Sequence, residues 1–561
     1  MSPSGVLAKA RRKIARRLNR LRWRIDHARR AAGTGDGVGG TPAELPPLVL
    51  VVVIDGLRPD SIDATDTPNL ERLRREGVSF SNAHSVFPTA TRVNAASIAS
   101  GAYPGATGIM HNAVYLPAVD EEAAMTTGRA ADLLRAQEAL GGRLVQVEGL
   151  GEILDRSGLR LAVVSSASTG SALLLNPRAP EGVGVLVNGE FEPGVRVAYP
   201  DDVNRAVLAR FGPAPPKAGR SRPRDALVGW TQRVLLEYVI PELAPDVVID
   251  WFTEPDHVQH AYGVGSPQAR TALRNVDREV GRILDALERL DLRSRTNLFV
   301  LSDHGVTRHG SAVDVAAALV EAGLKEGPRS TDVVVAGGGP SAQVHVKGHD
   351  PERVRRIVRF LQEQPWTGVL FTPPGAPPPD AGRPVADDPA TPGIGEEQGW
   401  VEGTFSLDLV HLCNPERSAD VLVTLGWTAE TNEFGVPGTE ITTTTDGARP
   451  AHSGHGGLSP WALHTTFFAT GPDLNERSVV DAPVGQVDLV PTILRLKGLE
   501  PGRALDGRVL HEALRDDSEV GAPSAETHTL TTQVSDGSYG AALQVSVVDG
   551  HRYLDEGRRV T

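Results

Sequence analysis

The stretch Leu48–Ile54, LVLVVVI, is an unbroken run of apolar and mostly β-branched residues, one strand long. A run of this length and type predicts a strand buried on both faces. Similar runs recur at 160–166 (RLAVVSS), 246–252 (DVVIDWF), 297–302 (NLFVLS), 420–425 (DVLVTL) and 465–470 (TTFFAT). Between them, 67–76 and 269–290 carry apolar residues at helical spacing. Strands alternating with helices predict an α/β fold with a mostly parallel sheet flanked by helices on both faces.

The pattern weakens in two places. Residues 170–228 are rich in Gly, Pro and Arg and read as a loop-rich insertion. Residues 325–400 hold a strand-like SAQVHV, a helical PERVRRIVRFLQEQ and a Pro-rich TPPGAPPPDAGRP, and read as a small inserted α+β subdomain that covers the site. The expected organisation is a core over 48–324 and 401–515, with the insertion at 325–400 and a C-terminal extension at 516–561.

Ahead of the core, residues 32–47 (AGTGDGVGGTPAELPP) have the composition of a flexible linker. Residues 1–31 contain eleven Lys and Arg and one acid, Asp26. This segment is therefore about +10, and the remainder about −23, within a formal net charge of −13. A body this acidic excludes a nucleic-acid-binding surface. Leu7, Ala10, Ile14, Leu18, Leu21 and Ile25 recur at three- and four-residue steps, placing them on one helical face with Arg on the other. Such a helix suits peripheral contact with an anionic membrane; a solvated or core-docked extension fits the pattern as well. No apolar h-region follows the basic residues, and no run has the roughly 18 apolar residues of a membrane span. The expected location is cytoplasmic, peripheral at the inner membrane face. Cys413 is the only cysteine, so there is neither an intramolecular disulfide nor a thiolate-rich metal site.

The candidate chemistry lies just after the buried runs, where open α/β sheets bind ligands. Asp55 ends the first run in VVVIDGLRPD. Asp256 and His260 follow DVVIDWF in TEPDHVQHAYG, four residues apart and thus on one face of a helical turn. Asp303 and His304 follow NLFVLS in SDHG. His455 stands among glycines in AHSGHGGLSPWALH, with His452 a rival; His257, His309 and His464 are spare candidates read as surface or supporting groups. Thr91 in FPTATRVNAASIASGAYPG precedes a short helix ended by Gly101, where free N–H groups favour a phosphoryl anion; Thr89 is the rival hydroxyl. Asn112 in GIMHNAVY offers an amide donor. Each of these has an ordinary structural reading alone, as a turn Asp, a surface His or an N-cap Thr.

Their order is more specific than any one of them. The text VVVIDGLRPD, FPTATRVNAASIASGAYPGATGIMHN, TEPDHVQHAYG, SDHGV and HGGLSPWALHTTFFATGPDL resembles the nucleotide pyrophosphatase/phosphodiesterase (type I phosphodiesterase) family of the alkaline phosphatase superfamily. The stretch VDLVPTILRLKGLEPGRALDGRVL is similar to the superfamily's closing segment. The likeness covers about 48–115, 245–310 and 450–510. It implies an alkaline phosphatase-like fold and hydrolysis of small-molecule phosphoric esters with two divalent metal ions, Zn2+ by the donor types. It implies that Asp55, Thr91, Asp303 and His304 hold one ion and Asp256, His260 and His455 the other. Asn112 would contact the phosphoryl group, and Thr91 would form a phosphothreonine intermediate.

The chain also departs from the family. Nucleotide-cleaving members carry Phe, then Pro, after the nucleophile; here these are Arg92 and Val93. Arg92 is a candidate for binding an anionic group of the substrate, or is simply a solvated first-turn residue. The alternatives to a phosphodiesterase are a phosphomonoesterase or phosphonate hydrolase with the same two metals, and a non-catalytic membrane-docked binding module. Cys413 in Cys-Asn-Pro-Glu-Arg fits the short sulfatase pattern, but it lies after SDHG rather than near Thr91, and is read as a structural loop.

Overall fold

A computed structural model of the chain describes residues 47–216, 219, 222–374, 397–444, 450–517 and 523–561. The expected basic helix at 1–31 and all but the last residue of the 32–47 linker lie outside these residues.

Leu48–Ile54 is the centre of a nine-stranded sheet, and all seven of its residues are buried. It pairs in parallel with Thr296–Leu301 on one side and Val247–Phe252 on the other. Leu161–Ser165 and Val185–Asn188 extend the parallel block beyond Val247–Phe252. Phe467–Thr470 closes against Thr296–Leu301 in antiparallel fashion, so the sheet is mostly parallel. Alternation splits the central strand between two apolar layers. Val49, Val51 and Val53 enter one, and Leu48, Leu50, Val52 and Ile54 the other. Helix Pro267–Arg289 covers the second layer with Val276, Val280, Ile283 and Leu287, its first turn capped by Ser266. Helix Thr91–Ser100 covers the first layer with Ala95, Ala96, Ile98 and Ala99. Each large aliphatic side chain buried this way contributes about 1.5–3 kcal/mol.

The register matters for function. Val53 lies opposite Leu301 and Ile54 opposite Phe252. The strands therefore end level, and the residues that follow them emerge at one edge.

Three parts differ from the sequence expectation. Residues 170–228 contain helices Thr169–Leu175 and Asp201–Phe211 and two strands that complete the sheet edge. Their elements are too short and too often interrupted to show a period. The run at 420–425 forms Val421–Leu425 in a second sheet, ordered Val333–Gly337, Ser341–Val346, Val421–Leu425, Thr367–Thr372, Phe405–Ser406. With helix Pro351–Glu363 this sheet spans the stretch expected as an α+β insertion and extends past residue 400. An apolar run reports burial but not which sheet it joins. The C-terminal extension is an antiparallel sheet of Ala525–Gln533, Gly540–Val548 and His551–Arg559. No helix among the described residues is long and apolar enough to cross a membrane.

Candidate active site

Asp55 leaves the central strand with its N–H bonded to the Phe252 carbonyl (3.0 Å). Its Oδ2 accepts from Trp251 Nε1 at 3.2 Å. The chain then turns at Gly56 (φ +69°), where a Cβ would stand 2.9 Å from Asp256 Cβ. Glycine supplies both the left-handed backbone and the missing volume. The Gly56 N–H donates to Asp303 Oδ1 (3.1 Å), joining the ends of Leu48–Ile54 and Thr296–Leu301.

Two groups of ligand-type side chains meet there. Asp55, Asp303 and His304 are one, and Asp256, His260 and His455 the other; within each the donor atoms lie within 4.8 Å of one another. His304 Nε2 is 3.1 Å from Asp303 Oδ2 and 3.5 Å from Asp55 Oδ1. His260 Nε2 is 3.2 Å from Asp256 Oδ2, as expected for residues four apart on helix Asp256–Tyr262. The His304 and His455 rings stack at 3.5 Å, so the two groups adjoin. Each imidazole turns Nδ1 to a backbone carbonyl: Gly305 for His304 (3.0 Å), Ser453 for His260 (2.7 Å), Thr89 for His455 (2.7 Å). A carbonyl on Nδ1 fixes the tautomer whose Nε2 lone pair is free for a metal.

The electrostatics suit a bound cation. Asp55 Oδ1, Asp256 Oδ1 and Asp303 Oδ2 are buried without a hydrogen-bond partner. Burial raises the Asp55 pKa well above the carboxylate range, and the charges of Asp303 and Asp256 raise it further. Burial also pushes Asp256 up, but the adjoining His260, His455 and His304 outweigh it and hold it below its usual value. Crowded, desolvated carboxylates are costly unless positive charge sits among them. The mixed nitrogen and oxygen donors fit a divalent metal ion.

Thr91 opens its helix, with Ala90 as N-cap and Gly101 ending it at φ +64°. Its Oγ1 lies 3.1 Å from His304 Nε2. The rival Thr89 points elsewhere: its hydroxyl is bonded to Gly457 O (3.3 Å) and to Gly456 N–H (2.8 Å). Asn112 Oδ1 accepts from the Arg92 N–H at 3.2 Å, which secures it over the helix start. The rival His452 is exposed, whereas His455 is buried.

These residues open on a cavity of about 480 Å³ lined by Asp55, Thr91, Arg92, Asn112, Asp256, His260 and His455. Ser168, Arg224 and Thr253 also line it, as do Gly338 and Thr442–Thr444 of the insertion and its neighbouring strands. Among the described residues, imidazoles are its only aromatic rings. His309, one of the spare histidines, faces it too, with Nδ1 on Ala451 O (3.1 Å) and a buried, unpartnered Nε2. Its position after Asp303–His304 on the same connection was the available signal. Cys413 lies away from the cavity, in a loop tied down by Asn414 to Gly105 O (2.7 Å) and Arg417 to Gly108 O (3.0 Å).

The human ectonucleotide pyrophosphatase/phosphodiesterase family member 7 is 28% identical over 263 residues, 46% of this chain and 48% of that protein. Venom phosphodiesterase 2 of Crotalus adamanteus is 26% identical over 266 residues, 47% of this chain and 27% of that protein. The chain thus spans about half or less of the curated relatives it matches. Among solved structures, murine ectonucleotide pyrophosphatase/phosphodiesterase 5, an inactive variant in complex with AMP, superposes with a TM-score of 0.54 at 16% identity. It covers 83% of this chain and 99% of its own, and the human protein gives 0.55 at 15% over the same shares. The fold is therefore alkaline phosphatase-like, as the sheet and its strand-end acids suggest. The family model described as type I phosphodiesterase / nucleotide pyrophosphatase matches residues 49–370, which is more than half of the 561 residues, and the chain belongs to that family.

Proposed function

We propose that this chain hydrolyses phosphoric diesters of small molecules, with Thr91 as nucleophile and two divalent ions, zinc by their donors. Asp55, Thr91, Asp303 and His304 would hold one ion and Asp256, His260 and His455 the other. The observation that carries the reading is the pair of buried ligand groups, with three unpartnered carboxylate oxygens, beside a hydroxyl at a helix start. The names of the relatives, phosphodiesterases and nucleotide pyrophosphatases, support the same reaction class.

When bound, the ions would lower the pKa of the oxygens they touch and offset phosphoryl charge. The rest falls to the chain. Thr91 Oγ1, deprotonated, attacks phosphorus in line with the leaving ester oxygen, and a phosphothreonine forms. The N–H groups at the start of Thr91–Ser100 and the Asn112 amide stabilise the charge on the phosphoryl oxygens. Water then cleaves the phosphothreonine and restores the hydroxyl.

Arg92 favours a second reading in which the same residues also accept monoesters or phosphonates. Its guanidinium lines the cavity with Nε buried and unpartnered, and an anionic group of the substrate would satisfy it. The test is kcat/KM on p-nitrophenyl mono- and diesters before and after chelation. Activity should vanish with the metal and return with zinc better than with magnesium, which prefers all-oxygen octahedral sites. Undiminished turnover after exhaustive chelation, with metal absence confirmed by elemental analysis, would refute the assignment.

A further inference from the structure

We propose that His84, His464 and Asp555 form a third divalent-cation site, structural rather than catalytic and suited to zinc. Their donor atoms lie within 4.8 Å of one another, and none of the three lines the active-site cavity.

The site is built from three distant segments. His84 and His464 face each other as a register pair on two short antiparallel strands, with ring centroids 4.7 Å apart. Asp555 comes from the last strand of the C-terminal sheet. His84 and Asp555 are buried and His464 is partly exposed, so the site borders solvent.

Its construction repeats that of the active-site histidines. His84 Nδ1 is 3.1 Å from the Val484 carbonyl, which leaves Nε2 facing Asp555 Oδ1 at 2.9 Å. The corresponding contacts in the active site are 3.1 Å for His304 with Asp303 and 3.2 Å for His260 with Asp256. With Nδ1 donating to a carbonyl, Nε2 carries a lone pair, and a lone pair 2.9 Å from a carboxylate oxygen requires a cation between them. A proton would answer for His84 and Asp555 alone. It leaves unused the ligand atom that His464 presents to the same cluster, from a ring tilted against that of His84 with centroids 4.7 Å apart. A divalent ion uses all three. The carboxylate is already anchored for such a role, its Oδ2 accepting from Ser546 Oγ at 2.8 Å. Two imidazole nitrogens and one carboxylate oxygen suit zinc, with solvent supplying the fourth ligand.

The strand bearing His84 leads through Val86 and Thr89 to Thr91. An ion here would fasten the C-terminal sheet to the segment that presents the nucleophile, without touching the reaction.

The test is zinc per chain by elemental analysis of the full-length, zinc-loaded protein after desalting, together with zinc-edge anomalous diffraction. Wild type should hold one equivalent more than either Asp555→Asn or His464→Gln, and His464, being partly exposed, is the milder change. An anomalous peak should lie among the three side chains. Both variants should keep their phosphodiesterase activity when loaded and lose thermal stability only in the presence of zinc. Equal zinc content in wild type and both variants, or no anomalous peak at this position while peaks occur elsewhere, would overturn the proposal. If the variants fail to fold, the wild-type diffraction decides alone. Because this peak is separate from those at Asp55 and Asp256, failure here leaves the active-site reading standing, and the converse holds too.

Discussion

Replacing Thr91 by Ala removes a single hydroxyl, 3.1 Å from His304 Nε2, from a residue with 6% exposure. The change leaves Asp55, Asp303, His304, Asp256, His260 and His455 in place, so metal should still bind. Without a nucleophile, turnover should fall by about 10³–10⁵-fold, which at 1.36 kcal/mol per tenfold is roughly 4–7 kcal/mol of transition-state stabilisation. Thr91→Ser keeps the oxygen and loses one methyl, and should retain at least about a tenth of the rate, a loss of no more than about 1.4 kcal/mol. Thr89→Ala is the control. Its hydroxyl serves only Gly456 N–H and Gly457 O, both buried. Leaving that N–H unsatisfied should cost about 1–3 kcal/mol of stability. The Thr89 carbonyl that orients His455 is untouched, so turnover should drop by less than about tenfold. The assay is steady-state turnover of all three variants on a p-nitrophenyl diester, with metal content and thermal midpoint measured for each. If Thr89→Ala abolishes turnover and Thr91→Ala does not, the wrong hydroxyl carries the chemistry. If neither matters and Cys413→Ala does, the sulfatase-like pattern is the true site.

Three further predictions concern other parts of the chain. Arg92→Phe should lower kcat/KM by about 10-fold or more for substrates with a second anionic group, the loss of a charged hydrogen bond, and raise it for a nucleoside ester; equal effects on both classes would exclude Arg92 from recognition. Asp250, fully buried with both oxygens accepting from Gln232 Nε2, has its pKa raised to about 7 by burial. A raised carboxyl pKa means the folded state holds the proton longer, so stability falls as pH rises from about 4 to 7 and stays lower above that. Asp250→Asn should flatten this decline, as read by denaturant unfolding at pH 5 and pH 8; an unchanged pH dependence would contradict it. Deleting residues 1–31 should abolish cosedimentation with anionic vesicles at low salt and leave turnover unaltered, whereas retained vesicle binding would place the membrane contact elsewhere.

Strand-end chemistry was legible in the sequence because the strands were. LVLVVVI, DVVIDWF and NLFVLS are buried on both faces, and their level register brings Asp55, Asp256 and Asp303 to one edge. Helix Thr91–Ser100 was legible from its glycine stop. What local pattern does not carry is partnership between distant segments. Nothing near residues 420–425 tells a strand of the main sheet from one of the insertion, since both are equally apolar. Nothing around His84 announces Asp555, because the contact spans 471 residues and depends on how the C-terminal sheet docks. His309 was visible as a residue but not as a cavity wall, since its orientation is set by the Ala451 carbonyl on a separate segment.

The cavity wall has a divided origin. The reacting edge is supplied by the main sheet, while Gly338, Gly339 and Thr442–Thr444 reach the cavity from the insertion and the strand that follows it. Gly339 is packed so closely that a Cβ would stand 2.2 Å from the His455 carbonyl, so the two parts meet backbone to backbone. The insertion thus bears on the cavity wall and on the loop that carries His455 together. A side chain at Gly339 should therefore disturb His455 as well as the shape of the opening, while Asp55 and Asp303 stay at the strand ends of the main sheet.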